Sequence, residues 1–348
     1  MGPPVCVTGA NGFLGGHIVE EFLKSGVDVH GTVRDPKSAK SAFLVALGEK
    51  YAKQVGCGKL TLFAADLEKE GSFDEAIKGC EVVVHVAASV VGNYKKDPFV
   101  EVINPTVNGV INVVGSCNRL GVKRLVYTSS VSTITCADHK RPLTLRGRPF
   151  TEDMWNTHYT PTYGTYKYSK IVAEQKLNEI WRGELVSLLP SWVIGPQQNK
   201  YITSSQQVVR ALVNREYVMV PPLYFDWVDI RDVARAHVYA ASSANIASGR
   251  YNLSSCTSLR TADLAEAVNT ACPEVKAPTR TMPWIVLWIG SWFDKRISSD
   301  FLYEKTTRQS PVDNKKIQKA GFEFKHTDLV SSMRDAIMSF REHGITKR

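Results

Sequence analysis

The string VTGANGFLGG at residues 7–16, which follows Val5 and Cys6, constrains this chain more than any other stretch of its sequence. Three of its glycines stand three apart, at Gly9, Gly12 and Gly15. A strand that ends at residue 8 must turn sharply here into a helix. Glycine permits such a turn and lets backbone N–H groups approach a phosphate at the positively polarised start of the helix. The spacing therefore predicts a pyrophosphate-binding turn.

Apolar strand-like runs alternate with helical patterns along most of the chain, as in PVCVTG, DVHGTV, LTLFAAD, VVVHVAA, RLVYTSS and LVSLLPSWVIG. This alternation predicts an α/β fold built on a doubly wound parallel sheet, because helices that connect parallel strands cover both faces. The alternation ends near residue 258, and helical segments with one short strand, GFEF at residues 321–324, are expected beyond it. We predict a Rossmann domain of residues 1–190 and 224–257, and a smaller, mainly C-terminal α/β substrate lobe of residues 191–223 and 258–348.

Composition and charge exclude several classes of protein. The seven cysteines are scattered without C-x-x-C pairs, which argues against a structural zinc site or a disulfide scaffold. The formal charge of +9 is spread along the chain rather than collected in a basic stripe, which argues against nucleic-acid binding. The sequence contains neither a signal peptide pattern nor an apolar run long enough to span a membrane. We expect a cytoplasmic monomer or homodimer with no metal, membrane or nucleic-acid partner.

The end of the second strand indicates which dinucleotide is bound. NAD enzymes commonly carry an acidic residue there, whereas NADP enzymes carry groups that pair with the 2′-phosphate. The strand ends in Val33 and is followed by Arg34, which can stack on adenine and bind phosphate through two hydrogen bonds, with Lys37 or Lys40 assisting. Asp28 precedes the strand, and Asp35 is placed to cap the next helix. The pattern favours NADP(H).

Two overlapping tyrosine–lysine pairs occur in the segment TYGTYKYSK at residues 162–170. Tyr163 precedes Lys167 by four residues, and Tyr166 precedes Lys170 by four, so on a helix each pair would share one face. A neighbouring ammonium favours the ionised phenol and brings its pKa toward the range useful for acid–base chemistry. Spacing alone leaves both pairs open.

At these residues the chain resembles the extended short-chain dehydrogenase/reductase superfamily, and within it the dihydroflavonol-reductase-like branch of carbonyl reductases. The resemblance runs in order through VTGANGFLGG, TVRDP, ADL, GSFDEAIKGC, VVHVAAS, RLVYTSS, YKYSKIVAE, PSWVIGP and WVDIRDVARAHVYA, and weakens after about residue 258. It implies that Tyr166, Lys170 and Ser130, the second serine of TSS, are the catalytic residues.

The resemblance also implies the residues that surround the cofactor and the substrate. Arg34 would bind the 2′-phosphate, and Tyr163 would line the substrate site. Together with the sequence pattern, it gives the expected cofactor-binding set Gly9, Gly12, Phe13, Leu14, Gly15, Arg34, Lys40, Asp66, Leu67, Val86, Ala87, Ala88, Thr128, Tyr166, Lys170, Pro190 and Val193. The expected substrate-binding set is Ser89, Ser130, Thr135 and Tyr163.

The expected activity is the NADPH-dependent reduction of an aldehyde or ketone, with an apolar or aromatic carbonyl compound as substrate. Two other functions stay open. A sugar-nucleotide epimerase or dehydratase of the same fold would retain its nicotinamide without net consumption, and a binding protein could sense NADP(H) without catalysis. The segment PTVNG at residues 105–109 is typical of the reductases, whereas the epimerases commonly carry Asn-Val-x-Gly there. A sensor would have no need of the intact set of serine, tyrosine and lysine.

Overall fold

Seven parallel strands form the central sheet of the computed structural model, which describes residues 2–88, 96–136, 140–255, 258–293, 306 and 310–346. The strands lie in the order β3-β2-β1-β4-β5-β6-β9. They are β1 Val5–Thr8, β2 Val29–Val33, β3 Leu60–Ala64, β4 Val82–His85, β5 Arg124–Thr128, β6 Glu184–Pro190 and β9 Gly249–Leu253.

Helices cover both faces of this sheet. One face carries α1 Phe13–Lys24, α2 Ala42–Ala52 and α7 Ile230–Ser242; the other carries α3 Asp74–Ile77, α4 Asn104–Arg119 and α5 Thr165–Ile180. Successive strand residues point to opposite faces of the sheet. Val5 and Val7 therefore pack in the core under α1, α2 and α7, whereas Cys6 packs in the core under α3, α4 and α5. The predicted α/β fold with a doubly wound parallel sheet is confirmed.

A second sheet of three strands lies in the smaller part of the protein, in the order β10-β8-β7. Its strands are β7 Trp192–Ile194, β8 Tyr224–Asp229 and β10 Ser258–Arg260, and β8 runs parallel to β7 and antiparallel to β10. The remaining α-helices of the described residues are α6 Ser204–Val213, α8 Thr261–Ala271, α9 Trp284–Phe293, α10 Lys315–Lys319 and α11 Leu329–Glu342.

The apolar run LVSLLPSWVIG, predicted as one strand, is divided at Ser191 between the two sheets. In the same way, residues 224–257 contribute β8 to the small sheet and α7 and β9 to the large one. The domain boundaries at residues 190, 223 and 257 stay a prediction.

Two observations bear on membranes and metals. Within the described ranges, none of the helices combines the length and the apolar character needed to cross a membrane. Helix α9 is short, and the side chains of Trp284 and Ile285 at its start are about half exposed, at 50% and 51%. Among all the residues that the structure describes, no group of three or more His, Cys, Asp or Glu side chains is placed to hold a metal ion.

Candidate active site

The glycine turn joins β1 to α1 at the carboxyl edge of the large sheet. Gly9 has a φ of +67°, and a Cβ atom there would lie 2.9 Å from the Cα atom of Ala87. A Cβ atom on Gly15 would lie 2.2 Å from the carbonyl oxygen of Gly9, so the helix packs directly on the turn. Gly12 is the N-cap, and the first turn of α1, with Phe13 and Leu14, carries no acidic residue. Since Gly12 has no side chain to cap the helix, the backbone N–H groups of the first turn of α1 can bind a ligand. Together with the bare backbone of the turn, they fit a pyrophosphate group.

Thr8 joins this turn to the end of β4. Its hydroxyl oxygen accepts hydrogen bonds from the backbone N–H groups of Val86 at 3.1 Å and Ala87 at 3.0 Å, and it lies 2.8 Å from Nδ1 of His85. Because the two N–H bonds occupy its lone pairs, the hydroxyl donates its proton to His85, whose own proton is therefore on Nε2. Burial, assisted by the charge of Lys170, lowers the pKa of His85 to about 3, so the ring is neutral.

The loop after β2 is attached to the glycine turn. The side-chain amide of Asn11 donates to the hydroxyl of Ser41 at 3.0 Å, and that hydroxyl donates to the backbone carbonyl of Asp35 at 2.8 Å. The carboxylate of Asp35 accepts a hydrogen bond from the backbone N–H of residue 37 at 2.8 Å, so it closes a turn within the loop. The expectation that Asp35 caps the next helix is wrong, because the N-cap of α2 is Ser41. Arg34 and Lys40 are exposed on this loop.

Asp66 and Leu67 follow β3 and are fixed against α4. The carboxylate of Asp66 accepts from the backbone N–H of Glu68 at 3.1 Å. The carbonyl of Leu67 accepts from the side-chain amide of Asn112 at 2.7 Å, and the side chain of Leu67 would lie 3.1 Å from a Cβ atom on Gly109. The missing side chain at residue 109 therefore lets this loop lie close to the helix.

Helix α5 separates the two tyrosine–lysine pairs. The helix begins at Thr165, so Tyr163 precedes it and does not share a helical face with Lys167. The ammonium of Lys167 donates instead to the hydroxyl of Tyr159 at 2.5 Å. Tyr163 packs against Tyr159 with ring centroids 5.7 Å apart and the ring planes tilted by 43°, and the ammonium of Lys140 lies 4.8 Å from the centre of the Tyr163 ring. Of the two pairs, only Tyr166 and Lys170 lie on one face of a helix.

Tyr166 and Lys170 lie beside Tyr127 of β5. The ammonium of Lys170 is 5.9 Å from the centre of the Tyr127 ring, and the Lys170 side chain is buried. Burial lowers the pKa of Lys170 from its ordinary value of 10.5 to about 8, although the carboxylate of Glu174 raises it. Burial also raises the pKa of Tyr166. The expectation of a lowered phenol pKa is therefore not met without cofactor, and Tyr166 keeps its proton at neutral pH.

Ser130 lies in the short loop after β5 and caps the 3₁₀ turn Val131–Thr133. Its hydroxyl oxygen accepts from the backbone N–H of Ser132 at 3.2 Å and donates to the hydroxyl of that residue at 3.1 Å. The side chain is half-buried. A hydroxyl held only by a neighbouring serine can reorient toward a ligand oxygen.

The other residues predicted to contact the cofactor or the substrate lie in several places around the sheet edge. Pro190 is the last residue of β6, Val193 is the middle residue of β7, and Ala88 is half-buried just past β4. The hydroxyl of Thr128 donates instead to Nε2 of His237 at 2.8 Å, since Nδ1 of that ring donates to a helix carbonyl. Thr135 is half-buried, and its carbonyl accepts from the side chain of residue 156. Ser89 lies outside the described residues. The roles of all these residues stay predictions.

Sequence reasoning missed a buried ion pair behind the site. The carboxylate of Glu174 accepts from the guanidinium of Arg250 at 2.8 Å, and neither residue was singled out. Glu174 stands one helical turn after Lys170, inside the YKYSKIVAE segment, and is fully buried. The sequence signal that could have revealed this ion pair is an acidic residue on the core face of α5, because a buried carboxylate requires a partner.

Comparison with known proteins identifies the family. Residues 5–254 match the NAD dependent epimerase/dehydratase family. The chain belongs to that family. Dihydroflavonol 4-reductase of Dianthus caryophyllus is 30% identical over 99% of this chain and 89% of its own length. The predicted superfamily and its dihydroflavonol-reductase-like branch are confirmed.

Solved structures agree with this assignment. Vestitone reductase from alfalfa (Medicago sativa L.) has a TM-score of 0.74 and 27% identity, and the match covers 99% of this chain and 100% of that one. Gre2 from Candida albicans, solved in complex with NADPH, has a TM-score of 0.76 and 25% identity over 98% of this chain and 99% of its own. The predicted enzyme class, an oxidoreductase of the reductase type, is confirmed.

Proposed function

We propose that this protein reduces an aldehyde or ketone to an alcohol with NADPH. The observation that carries the proposal is the placement of Tyr166 and Lys170 on one face of α5, beside Tyr127 and His85, at the edge where β1 enters the glycine turn. This edge is formed by the carboxyl ends of adjacent parallel strands, where α/β sheets bind their ligands.

The residues of the chain divide the work of the reaction. The bound NADPH supplies the hydride. The hydroxyl groups of Ser130 and Tyr166 hold the carbonyl oxygen of the substrate, and Tyr166 gives its proton to the alkoxide oxygen as the carbonyl carbon is reduced. Because burial raises the pKa of Tyr166, this residue is protonated before the reaction and acts as the acid. Lys170 provides a positive charge that stabilises the phenolate left behind.

The glycine turn and the loop after β2 hold the cofactor in this proposal. The N–H groups at the start of α1 bind the pyrophosphate, and Arg34, with Lys40, binds the 2′-phosphate. Because the carboxylate of Asp35 accepts a hydrogen bond from a backbone N–H of its own loop, Asp35 is not placed as the ribose-binding acid of an NAD enzyme. The NADPH complex of Gre2 and the dihydroflavonol 4-reductase relative support the same cofactor.

The substrate in this proposal is an apolar or aromatic carbonyl compound. Tyr159 and Tyr163 form an aromatic pair just before α5, close to the residues that would hold the carbonyl. The named relatives, a dihydroflavonol reductase and a vestitone reductase, support an aromatic ketone. We further propose a cytoplasmic monomer or homodimer.

The test is a panel of aldehydes, diketones and flavanonols with the purified protein, following the absorbance of NADPH and, in parallel, of NADH. Stoichiometric loss of NADPH supports a reductase, whereas product formation with no net cofactor consumption supports an epimerase. Tyr166→Phe should lower kcat by about a hundredfold or more, the effect of removing a general acid. Tyr163→Phe is the matched control and should change kcat little. The reverse result would overturn the assignment.

A further inference from the structure

We propose that Glu174 and Arg250 position the catalytic groups by tying the loop that carries Ser130 to the helix that carries Tyr166 and Lys170. This inference rests on the proposed function. Glu174 and Arg250 belong to elements far apart in the sequence, α5 and β9, and neither touches the reacting atoms in this account. They are positioning residues.

The carboxylate of Glu174 is surrounded by donors. Its Oε1 accepts from Nε of Arg250 at 2.8 Å, and its Oε2 accepts from the hydroxyl of Ser129 at 2.5 Å. Glu174 is fully buried, and Ser129, the residue directly before Ser130, is 4% exposed. A buried charge of this kind is tolerated only when it is paired and hydrogen-bonded, so each contact limits the movement of the others.

The guanidinium of Arg250 extends the connection to the other side of Ser130. Its Nη2 donates to the hydroxyl of Thr133 at 2.6 Å, and that hydroxyl donates to the backbone carbonyl of Ser130 at 2.9 Å. Its Nη1 donates to the carbonyls of Glu152 at 2.8 Å and Met154 at 2.6 Å. The loop is therefore held at Ser129 by Glu174 and at Ser130 by Thr133.

This arrangement fixes the distance between the Ser130 loop and the face of α5 that carries Tyr166 and Lys170. Lys170 stands one turn before Glu174 on α5, and Tyr166 stands one turn earlier still. Any shift of the Ser130 loop relative to α5 must break a charged hydrogen bond in the core. Errors of about 1 Å in the placement of catalytic groups can cost about a hundredfold in rate, so a rigid connection between the two elements has direct value for catalysis.

The main test uses Thr133→Val, which keeps the shape of the side chain and removes only the hydroxyl that joins Arg250 to Ser130. We expect kcat to fall about tenfold, with the Kd for NADPH unchanged within about threefold, because the contact acts on geometry rather than on cofactor binding. Thr133→Ser restores the hydroxyl and should recover most of the rate. Val113→Ala, which opens space in the core of α4, is the control for lost stability alone and should keep its kcat at a temperature where it is folded.

Glu174→Gln gives a second readout, the pH dependence of kcat. The charged and titratable groups around Lys170 are Glu174 and Tyr166 on α5, Tyr127 on β5 and the neutral His85 at the end of β4. Without the carboxylate, the alkaline limb of the pH profile should move to lower pH, whereas Thr133→Val should leave the limb in place and change only the height of the profile.

The outcomes separate the two levels of the account. If none of the carbonyl compounds in the panel causes the wild-type protein to oxidise NADPH, the proposed function fails, and this inference fails with it. If the wild-type protein is active and Thr133→Val keeps the wild-type kcat, or if Thr133→Ser does not recover the rate, only the positioning role is refuted.

Discussion

Replacing Gly9 by alanine tests whether the first turn is shaped as the structure indicates. The new Cβ atom would lie 2.9 Å from the backbone Cα atom of Ala87, which cannot rotate away. A left-handed φ costs an alanine about 1–2 kcal/mol. Overpacking against a fixed neighbour adds about 1–3 kcal/mol. The expected loss in the free energy of unfolding is therefore about 2–5 kcal/mol.

Gly121 provides a matched control. Its φ of +70° is nearly the same as that of Gly9, but a Cβ atom there would meet no atom within 4 Å. Gly121→Ala should therefore show the backbone cost alone, about 1–2 kcal/mol. The difference between the two variants isolates the contact with Ala87.

The assay is urea denaturation of both variants without cofactor, followed by NADPH titration with fluorescence detection. Gly9→Ala should bind NADPH at least about tenfold more weakly, equal to about 1.4 kcal/mol, because the turn must move to admit the methyl group. Gly121→Ala should bind as the wild type does. Equal stabilities and equal Kd values for the two variants would refute the reasoning.

Three further predictions concern selectivity, pH and stability. Arg34→Ala should weaken NADPH binding by about 1.5–3 kcal/mol, the value of a charged hydrogen bond, and raise the Kd for NADH much less, because NADH has no 2′-phosphate; parallel titrations would contradict this if both Kd values rose equally. Lys170 is protonated below its pKa of about 8 and neutral above it, so kcat for reduction should fall as the pH rises through about 8; a limb near its ordinary value of 10.5 would count against its burial. Asp229→Asn should cost about 1.5–3 kcal/mol in urea denaturation, because it neutralises a fully buried carboxylate that accepts from Ser332 at 2.6 Å and pairs with Arg231, while Arg231 keeps its second partner, Asp335; a loss below about 0.5 kcal/mol would show that the pair is dispensable.

The fold could be predicted where local patterns decide it. Strand and helix alternation gave the parallel sheet, and the three glycines gave the turn after β1. The break at Ser191 was not predictable, because β6 and β7 are continuous in the sequence and apolar on both sides of the break. Residues 321–324 read as a strand but have no strand partner in the structure; Phe322 and Phe324 pack against the core instead.

The site could be predicted only in part for the same reason. The choice between Tyr163 and Tyr166 depends on the residue at which α5 begins, and spacing alone does not fix a helix start. Glu174 and Arg250 are 76 residues apart, and their pairing exists only once β9 joins the sheet beside β6. Contacts of that range are a property of topology rather than of any local motif.

The central claim is that Tyr166, held on α5 beside Lys170, delivers the proton to a carbonyl placed against the nicotinamide. A crystal structure of the protein with NADP+ and an alcohol product tests it most directly. The account predicts the phosphates on the N–H groups after Gly9 and the product hydroxyl within hydrogen-bonding distance of Tyr166 and Ser130. A product hydroxyl bound by Tyr163 instead, or phosphates bound elsewhere than at the glycine turn, would contradict it.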